Sequence, residues 1–274
     1  MPEGHTIHRL AQDHAERFAG HPAEVTSPQG KFSAAAALLT GRELTRTEAH
    51  GKHLFLGFGA AQDPAWVHIH LGLFGKYTLG DGPAPPPTDT VRLRLRTATH
   101  YADLRGPTTC ALITDAEKQA IHDRLGPDPL RPDADPARAY ARIARSRTSI
   151  AALLMDQKVI AGVGNVYRAE VLFRHGIDPY TPGKDLAPDE LAALWDDLVL
   201  LMREGVRLNR IDTVRPEHTP EAMGRPPRVD DHGGEVYVYR RAAHPCHLCG
   251  TAVRTAELAA RNLFWCPSCQ PARP

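Results

Sequence analysis

Cys246-His247-Leu248-Cys249 and Cys266-Pro267-Ser268-Cys269 are two C-x2-C knuckles, sixteen residues apart, near the end of a 274-residue chain. Two such knuckles bring four thiolates to the corners of a tetrahedron, and the intervening residues suffice for the hairpins that carry them. The spacing predicts one structural zinc ion held by Cys246, Cys249, Cys266 and Cys269. A thioredoxin-like redox role would need one C-x-x-C beside a βαβ unit, and none is evident. His244 and His247 could compete as ligands, but four thiolates complete the site without them. Cys110 has no partner and reads as a buried apolar residue.

Upstream of the knuckles, Arg210 to Gly234 is rich in proline, glycine and charge, lacks periodicity, and reads as a mobile loop. Before it the period is helical. Pro188 to about Leu208 forms one predicted helix, and Ser149 can cap another through Leu154. Ala161-Gly162-Val163-Gly164-Asn165 breaks the pattern and opens a helix from Val166 to about His175, which Gly176 and Pro179 stop. Glycines and an asparagine at a helix start can turn backbone N–H groups toward a phosphate. A plain helix turn is the alternative. From Arg138 to Arg174 seven basic residues (Arg138, Arg142, Arg145, Arg147, Lys158, Arg168, Arg174) face only Asp156 and Glu170, in a chain whose net charge is +1.

The first half of the chain reads differently. Runs such as His53-Leu54-Phe55-Leu56-Gly57-Phe58, Trp66 to Leu71 and Val91 to Arg96 have period-two or solid apolar character between about Ala23 and Ile113. They predict an antiparallel sandwich or barrel. Gly80 to Pro87 is too proline-rich to continue a strand, and Gly126 to Pro132 is the best linker candidate. Ahead of the strands, Ile7, Leu10, Ala11, His14, Ala15 and Phe18 recur at helical spacing, so Glu3 to Ala19 reads as an amphipathic helix ending at Gly20.

Met1-Pro2-Glu3-Gly4 stands at the head of that helix. A Met-Pro start is expected to lose its methionine, leaving Pro2 with a secondary amine. A terminal amine titrates near pH ~8, well below lysine, so part of it is uncharged and nucleophilic at neutral pH. The helix dipole disfavours the protonated amine, and it also favours an ionised Glu3, which opposes an acid role unless burial intervenes. The plain alternative is that Glu3 is only an acid in a first helical turn. Apolar residues make up 42% of the chain and charged residues 24%, as in an ordinary globular protein. No apolar run approaches a membrane span, and no signal-peptide pattern is present, so a cytoplasmic protein is expected.

Together these stretches resemble the formamidopyrimidine-DNA glycosylase and endonuclease VIII family, across essentially the whole chain. The matching segments are Met1 to Gly4, Gly51-Lys52-His53-Leu54, Asp156 to Phe173, and Arg261-Asn262-Leu263-Phe264-Trp265 with the second knuckle and Gln270. The resemblance implies an α+β multidomain fold: an N-terminal helix plus β-sandwich over residues 1–126, a helix-two-turns-helix domain over 133–235, and a zinc finger over 236–274. It implies a bifunctional glycosylase and AP lyase with damaged DNA as partner, acting as a nucleoid-associated monomer. Pro2 matches the nucleophile, Glu3 the general acid and Lys52 a basic residue of the active site. Asn165 and Arg261 match residues that grip the backbone beside the lesion. His70 and Arg105 match DNA-contacting positions, and Leu73 and Phe74 in Gly72 to Gly75 match a void-filling wedge, with ordinary core packing as the alternative.

The sequence departs from the family where His5 and Thr6 replace a proline and an acid. Nothing resembles the Thr-Leu-Arg-Asp stretch of the formamidopyrimidine branch. Both features lean toward the endonuclease VIII branch and oxidised pyrimidines. Two other readings compete. One is a non-catalytic damage-binding protein of the same fold, and the other is a zinc-containing regulator with an ordinary helix-turn-helix. A regulator needs base-reading side chains on its recognition helix, and Val166 to His175 offers mainly Arg168 and Arg174.

Overall fold

The structure is a computed structural model that describes residues 2–229 and 234–273. Met1, whose removal is expected, and residues 230–233 of the Arg210–Gly234 segment lie outside the described residues. The chain forms two units, one of residues up to Glu3 with Ile7–Arg124, the other of Gly4–Thr6 with the chain from Leu125 onward.

In the first unit, helix α1 (Gly4–Phe18) is followed by β1 (Glu24–Thr26), α2 (Ser33–Leu39) and seven further strands. These are β2 (Leu44–His50), β3 (His53–Phe58), β4 (Ala65–His70), β5 (Lys76–Asp81), β6 (Val91–Arg96), β7 (His100–Arg105) and β8 (Thr109–Ile113). They make two four-stranded antiparallel sheets, β2-β3-β4-β8 and β1-β6-β7-β5. Leu54, Leu56, Val67 and Ile69 from one sheet share an apolar core with Leu93, Leu95, Ala102 and Leu104 from the other, and Ile7, Leu10 and Phe18 of α1 join it.

One helix interrupts the expected run of strands, and another follows it. Ser33-Ala34-Ala35-Ala36-Ala37-Leu38-Leu39 is α2, where the high helix propensity of alanine outweighs the β character of its surroundings. Helix α3 (Asp115–Arg124) follows β8 and lies against β4. Lys118 Nζ sits 3.7 Å above the Trp66 ring, and the Trp66 indole donates to Asp115 at 3.1 Å. Strand β5 also runs through Gly80 and Asp81, past the expected start of the proline-rich loop.

The second unit contains α4 (Pro136–Ile143), α5 (Ile150–Met155), α6 (Asn165–Arg174), α7 (Pro188–Leu208), the short α8 (Pro220–Met223) and a hairpin of β9 (Arg254–Leu258) and β10 (Arg261–Trp265). Every residue from Asn165 to Phe173 is buried, so α6 is the axis around which the unit packs. Asp135 caps α4 by accepting from the Ala137 N–H. The described part of the segment after Leu208 carries local structure that its composition does not predict. It contains a 3-10 turn at Pro216–His218 as well as α8, and its Thr213 is wholly buried. No helix among the described residues is long and apolar enough to cross a membrane.

Candidate active site

In the first unit Lys52, His70, Leu73, Phe74 and Arg105 gather around one end of the sandwich. Lys52 is the second residue of the two-residue turn between β2 and β3, closed by the His50–His53 pair. Gly51, the first residue of that turn, takes φ +57°, a conformation that side chains resist and that such tight hairpins require. His70 ends β4 directly across from His53, with ring centroids 4.9 Å apart. Burial, reinforced by the Lys52 charge, lowers the proton affinity of His70. Leu71 to Gly75 then turns the chain into β5. The Gly75 N–H donates to the Leu71 carbonyl at 3.0 Å, and a Cβ on Gly75 would lie 2.2 Å from that same oxygen.

This turn settles the alternative for Leu73 and Phe74. Neither is a core residue: Leu73 is 47% exposed and Phe74 is 88% exposed. Arg105 belongs to the same end, paired in register with Lys76 at the start of β5. Its guanidinium donates to Asp103 at 3.0 Å. Asp103 is almost wholly buried and also takes both arms of Arg94, at 2.6 and 2.8 Å. This fork-to-carboxylate pairing fixes the oxygen that orients Arg105. Arg94 lies in the alternating Val91–Arg96 run, which marks it as polar but gives no sign that it is buried.

Pro2 is half-buried, and Glu3, at the cap position of α1, is 0% exposed. The Glu3 backbone is extended and its carboxyl does not cap the helix. The next residue has no room for a side chain. The Gly4 N–H donates to the Gly162 carbonyl at 2.8 Å, and a Cβ on Gly4 would lie 2.8 Å from the Gly162 Cα. His5, one of the two departures from the family pattern, is buried edge-on against Tyr167 with ring centroids 5.4 Å apart. Thr6 lies 3.2 Å from the His5 ring through its hydroxyl.

In the second unit the glycine-rich stretch is held by its own side chains. The Gln157 amide donates to the carbonyls of Met155 and Val163 and accepts from the Gly162 N–H, which shapes the loop that leads into α6. Asn165, 5% exposed, donates through Nδ2 to the Asn262 carbonyl at 2.9 Å and accepts from Arg168 through Oδ1. The start of α6 is thereby tied to β10, whose first residue is Arg261. The turn before Arg261 is made of Ala259 and Ala260, both left-handed at φ +53° and +55°. Arg168 is wholly buried, and Arg174 forms a two-pronged pair with Asp197 at 2.7 Å on each arm. Neither is free to read bases, which removes the regulator reading.

The four cysteine sulfurs predicted as zinc ligands all lie within 4.8 Å of one another. The Cys246–Cys269 and Cys249–Cys266 separations are 3.8 and 3.4 Å. Zn–S bonds of ~2.3 Å in a tetrahedron set sulfurs about 3.8 Å apart, so the donor set fits one zinc ion. Gln270 braces the second knuckle by accepting from the Cys266 N–H and donating to the Ile177 carbonyl just beyond α6.

One buried residue had no sequence signal as a site former. Glu170, in the middle of α6, accepts from the backbone N–H groups of Tyr237, Val238 and Tyr239 and from the Thr213 hydroxyl, at 2.7 to 2.9 Å. It fastens the segment that enters the zinc finger to the helix that begins with Asn165.

Known proteins match this arrangement along its length. Residues 1–110 match the Formamidopyrimidine-DNA glycosylase N-terminal domain, 125–215 the Formamidopyrimidine-DNA glycosylase H2TH domain, and 243–272 the zinc finger found in FPG and IleRS. Endonuclease 8 1 of Mycobacterium tuberculosis is 53% identical over 274 residues, spanning 98% of this chain and all of the relative. The chain belongs to the formamidopyrimidine-DNA glycosylase and endonuclease VIII family. A probable endonuclease 8 2 of Streptomyces coelicolor is 32% identical over 98% of this chain and 94% of its own length. The Lactococcus lactis Fpg, solved in complex with DNA containing an abasic site, shares the fold at a TM-score of 0.78 and 22% identity, over 98% of this chain and all of that one. The H2TH domain match spans α4 to α7 and includes the glycine-rich loop ahead of α6.

Proposed function

We propose that this family member is a bifunctional DNA glycosylase and AP lyase of base excision repair that attacks through Pro2. The observation that carries the assignment of roles is the Pro2-Glu3 pair at the head of α1, where the Glu3 carboxyl is wholly buried and not used as a cap. General acids are typically found in such water-poor surroundings. In this reading the Pro2 amine adds to C1′ of a nucleotide turned out of the duplex, and the bond to the damaged base breaks as Glu3 passes a proton toward the departing base. The sugar ring then opens as the C1′–O4′ bond breaks and O4′ takes a proton, which leaves C1′ doubly bonded to the Pro2 nitrogen as an iminium that acidifies the sugar C2′ proton. Its removal expels the 3′ phosphate, and a second elimination expels the 5′ phosphate.

Lys52 and His70 supply the polar floor of the sandwich end. Asn165 and Arg261 grip phosphates beside the lesion. One proton of the Asn165 amide nitrogen is spent on Asn262, and the other serves the phosphate. Leu73 and Phe74 fill the space that the turned-out nucleotide leaves, and Arg105 contacts the DNA near them. Oxidised pyrimidines are the favoured lesions, supported by the missing Thr-Leu-Arg-Asp stretch. The protein acts as a monomer at the nucleoid.

Borohydride trapping tests the central claim. Protein with Pro2 at its terminus should become covalently linked to DNA containing an abasic site, and a tag ahead of Pro2 should abolish the link while DNA still binds. Trapping that survives the tag and disappears in Lys52→Ala would move the nucleophile to Lys52. A lesion panel in which 8-oxoguanine opposite cytosine is released as fast as oxidised pyrimidines would overturn the branch assignment.

A further inference from the structure

Of the seven basic residues in the Arg138–Arg174 run, Arg168 and Arg174 are used inside the unit, and the structure brings four of the other five to one place. Arg138, Arg142, Arg145 and Lys158 line a cavity of about 490 Å³ in the second unit, together with Gly126, Pro127 and Ala141. All four side chains are exposed, and none forms an ion pair with a carboxylate among the described residues. The nearest acid in sequence, Asp156, accepts from the Lys158 backbone N–H at 2.9 Å and is not part of the lining. The floor is rigid. The Gly126 N–H donates to Gln157 at 2.9 Å, Ala161 donates to the Pro127 carbonyl at 3.0 Å, and a Cβ on Gly126 would lie 2.4 Å from the Val159 carbonyl oxygen. Arg142 places one guanidinium nitrogen on the Lys158 carbonyl, which joins the helix side of the pocket to the loop side.

The three arginines follow one another at i, i+4 and i+7 along α4 and the turn after it, a row of roughly 10 Å at 1.5 Å per residue. Such a row is longer than one phosphate group and suits successive phosphates of a strand. Lys158 lies in the loop between α5 and α6, so one eight-residue segment joins the pocket to Asn165 at the start of α6. We propose that this pocket is a phosphate-group site that takes backbone phosphates of DNA flanking the damaged nucleotide. This rests on the DNA-repair reading given above.

The test uses the full chain with Arg138→Gln and Arg145→Gln combined, which keeps the Arg142 contact, and a second variant that adds Arg142→Gln. Binding to a lesion duplex with long flanks is measured across a salt series, alongside borohydride trapping at saturating DNA. Each lost phosphate contact lowers the slope of log K against log salt by about 0.9. The double variant should therefore lose roughly two units of slope, with trapping at saturation unchanged. A slope equal to that of the unmodified protein, with trapping intact, overturns the pocket assignment and leaves the glycosylase reading in place. A lowered slope in a protein that never traps supports the pocket and removes the glycosylase reading. Inorganic pyrophosphate, titrated at constant ionic strength, separates the source. Pyrophosphate binding lost in the variant, with the DNA slope unaffected, would make the pocket a site for a free phosphoanion and overturn the assignment to DNA.

Discussion

Replacing Glu170 by Gln tests how the second unit holds its two functional ends together. In the native arrangement Oε1 accepts from Val238 and Tyr239 at 2.9 and 2.8 Å, and Oε2 accepts from Tyr237 and the Thr213 hydroxyl at 2.7 Å each. The amide of Gln replaces one acceptor by a donor. At the Oε1 position that donor would face two N–H groups, so it must take the Oε2 position. There the Thr213 hydroxyl can reverse, because it already has a second acceptor in the Glu235 carbonyl at 3.2 Å. The Tyr237 N–H cannot reverse. One buried N–H left without an acceptor costs ~1–3 kcal/mol, and the remaining bonds lose their charge assistance at about 1 kcal/mol more. The expected loss is ~3 kcal/mol, a fall in Tm of roughly 10 °C for a unit of this size. Hydrogen exchange should locate the damage at the amides of Tyr237 to Tyr239, and a chelator should strip the zinc faster because the finger's entry segment is loosened. Denaturation that shows a loss below about 1 kcal/mol, with those three amides still protected, would refute the bracing role.

Four other outcomes follow from the same structure. Elemental analysis should find one zinc per chain, and replacing Cys249 by Ser should remove both the zinc and DNA binding while the sandwich keeps its circular dichroism. Phe74→Ala should leave Tm unchanged, since the ring is 88% exposed, and weaken binding to lesion DNA by the ~1–3 kcal/mol of one lost base contact; equal weakening on undamaged DNA would count against a wedge. Ala259→Asn with Ala260→Gly should stabilise the hairpin that carries Arg261 by about 1 kcal/mol or more, because both alanines occupy left-handed positions, and an unchanged Tm would contradict this. Buried His14 is held neutral, its pKa pushed down to about 4 by burial, so the native state resists protons that the unfolded chain accepts below pH ~6.5. Stability should hold above that pH and fall as pH drops toward 4, by about 3 kcal/mol from His14 alone, and His14→Phe should flatten the fall measured by urea denaturation.

What the sequence made legible was whatever repeats a local rule. The four cysteines declare their ligand set by spacing alone, and α7 follows its periodicity from Pro188 to Leu208. The sandwich follows from period-two runs, because each strand has one face in a shared core and needs no knowledge of its partner. Helix α2 was missed for a related reason. Four consecutive alanines carry no amphipathic signal, and a strand-rich neighbourhood hides a short helix.

The candidate site was harder to read, because its logic runs between distant residues. Lys52 and His70 stand eighteen positions apart, yet one hairpin turn and one strand pairing bring them to the same sheet end. Asn165 meets the carbonyl of Asn262 almost a hundred residues away. Glu170 shows the difficulty most plainly. In the sequence it is one acid in a basic stretch, offset against seven cations. In the structure it touches none of those seven among its hydrogen-bond partners; its charge is spent on three backbone N–H groups and a hydroxyl from segments that composition marks as loop. Charge counting along the chain assigns it to the surface, while the fold buries it in the second unit. The same accounting error, reversed, applies to Arg168 and Arg174, which add to the apparent basic patch but serve inside the unit. Removing them leaves Arg138, Arg142, Arg145 and Lys158 as the cations with unspent charge around the pocket, and so turns a diffuse sequence bias into a localised surface.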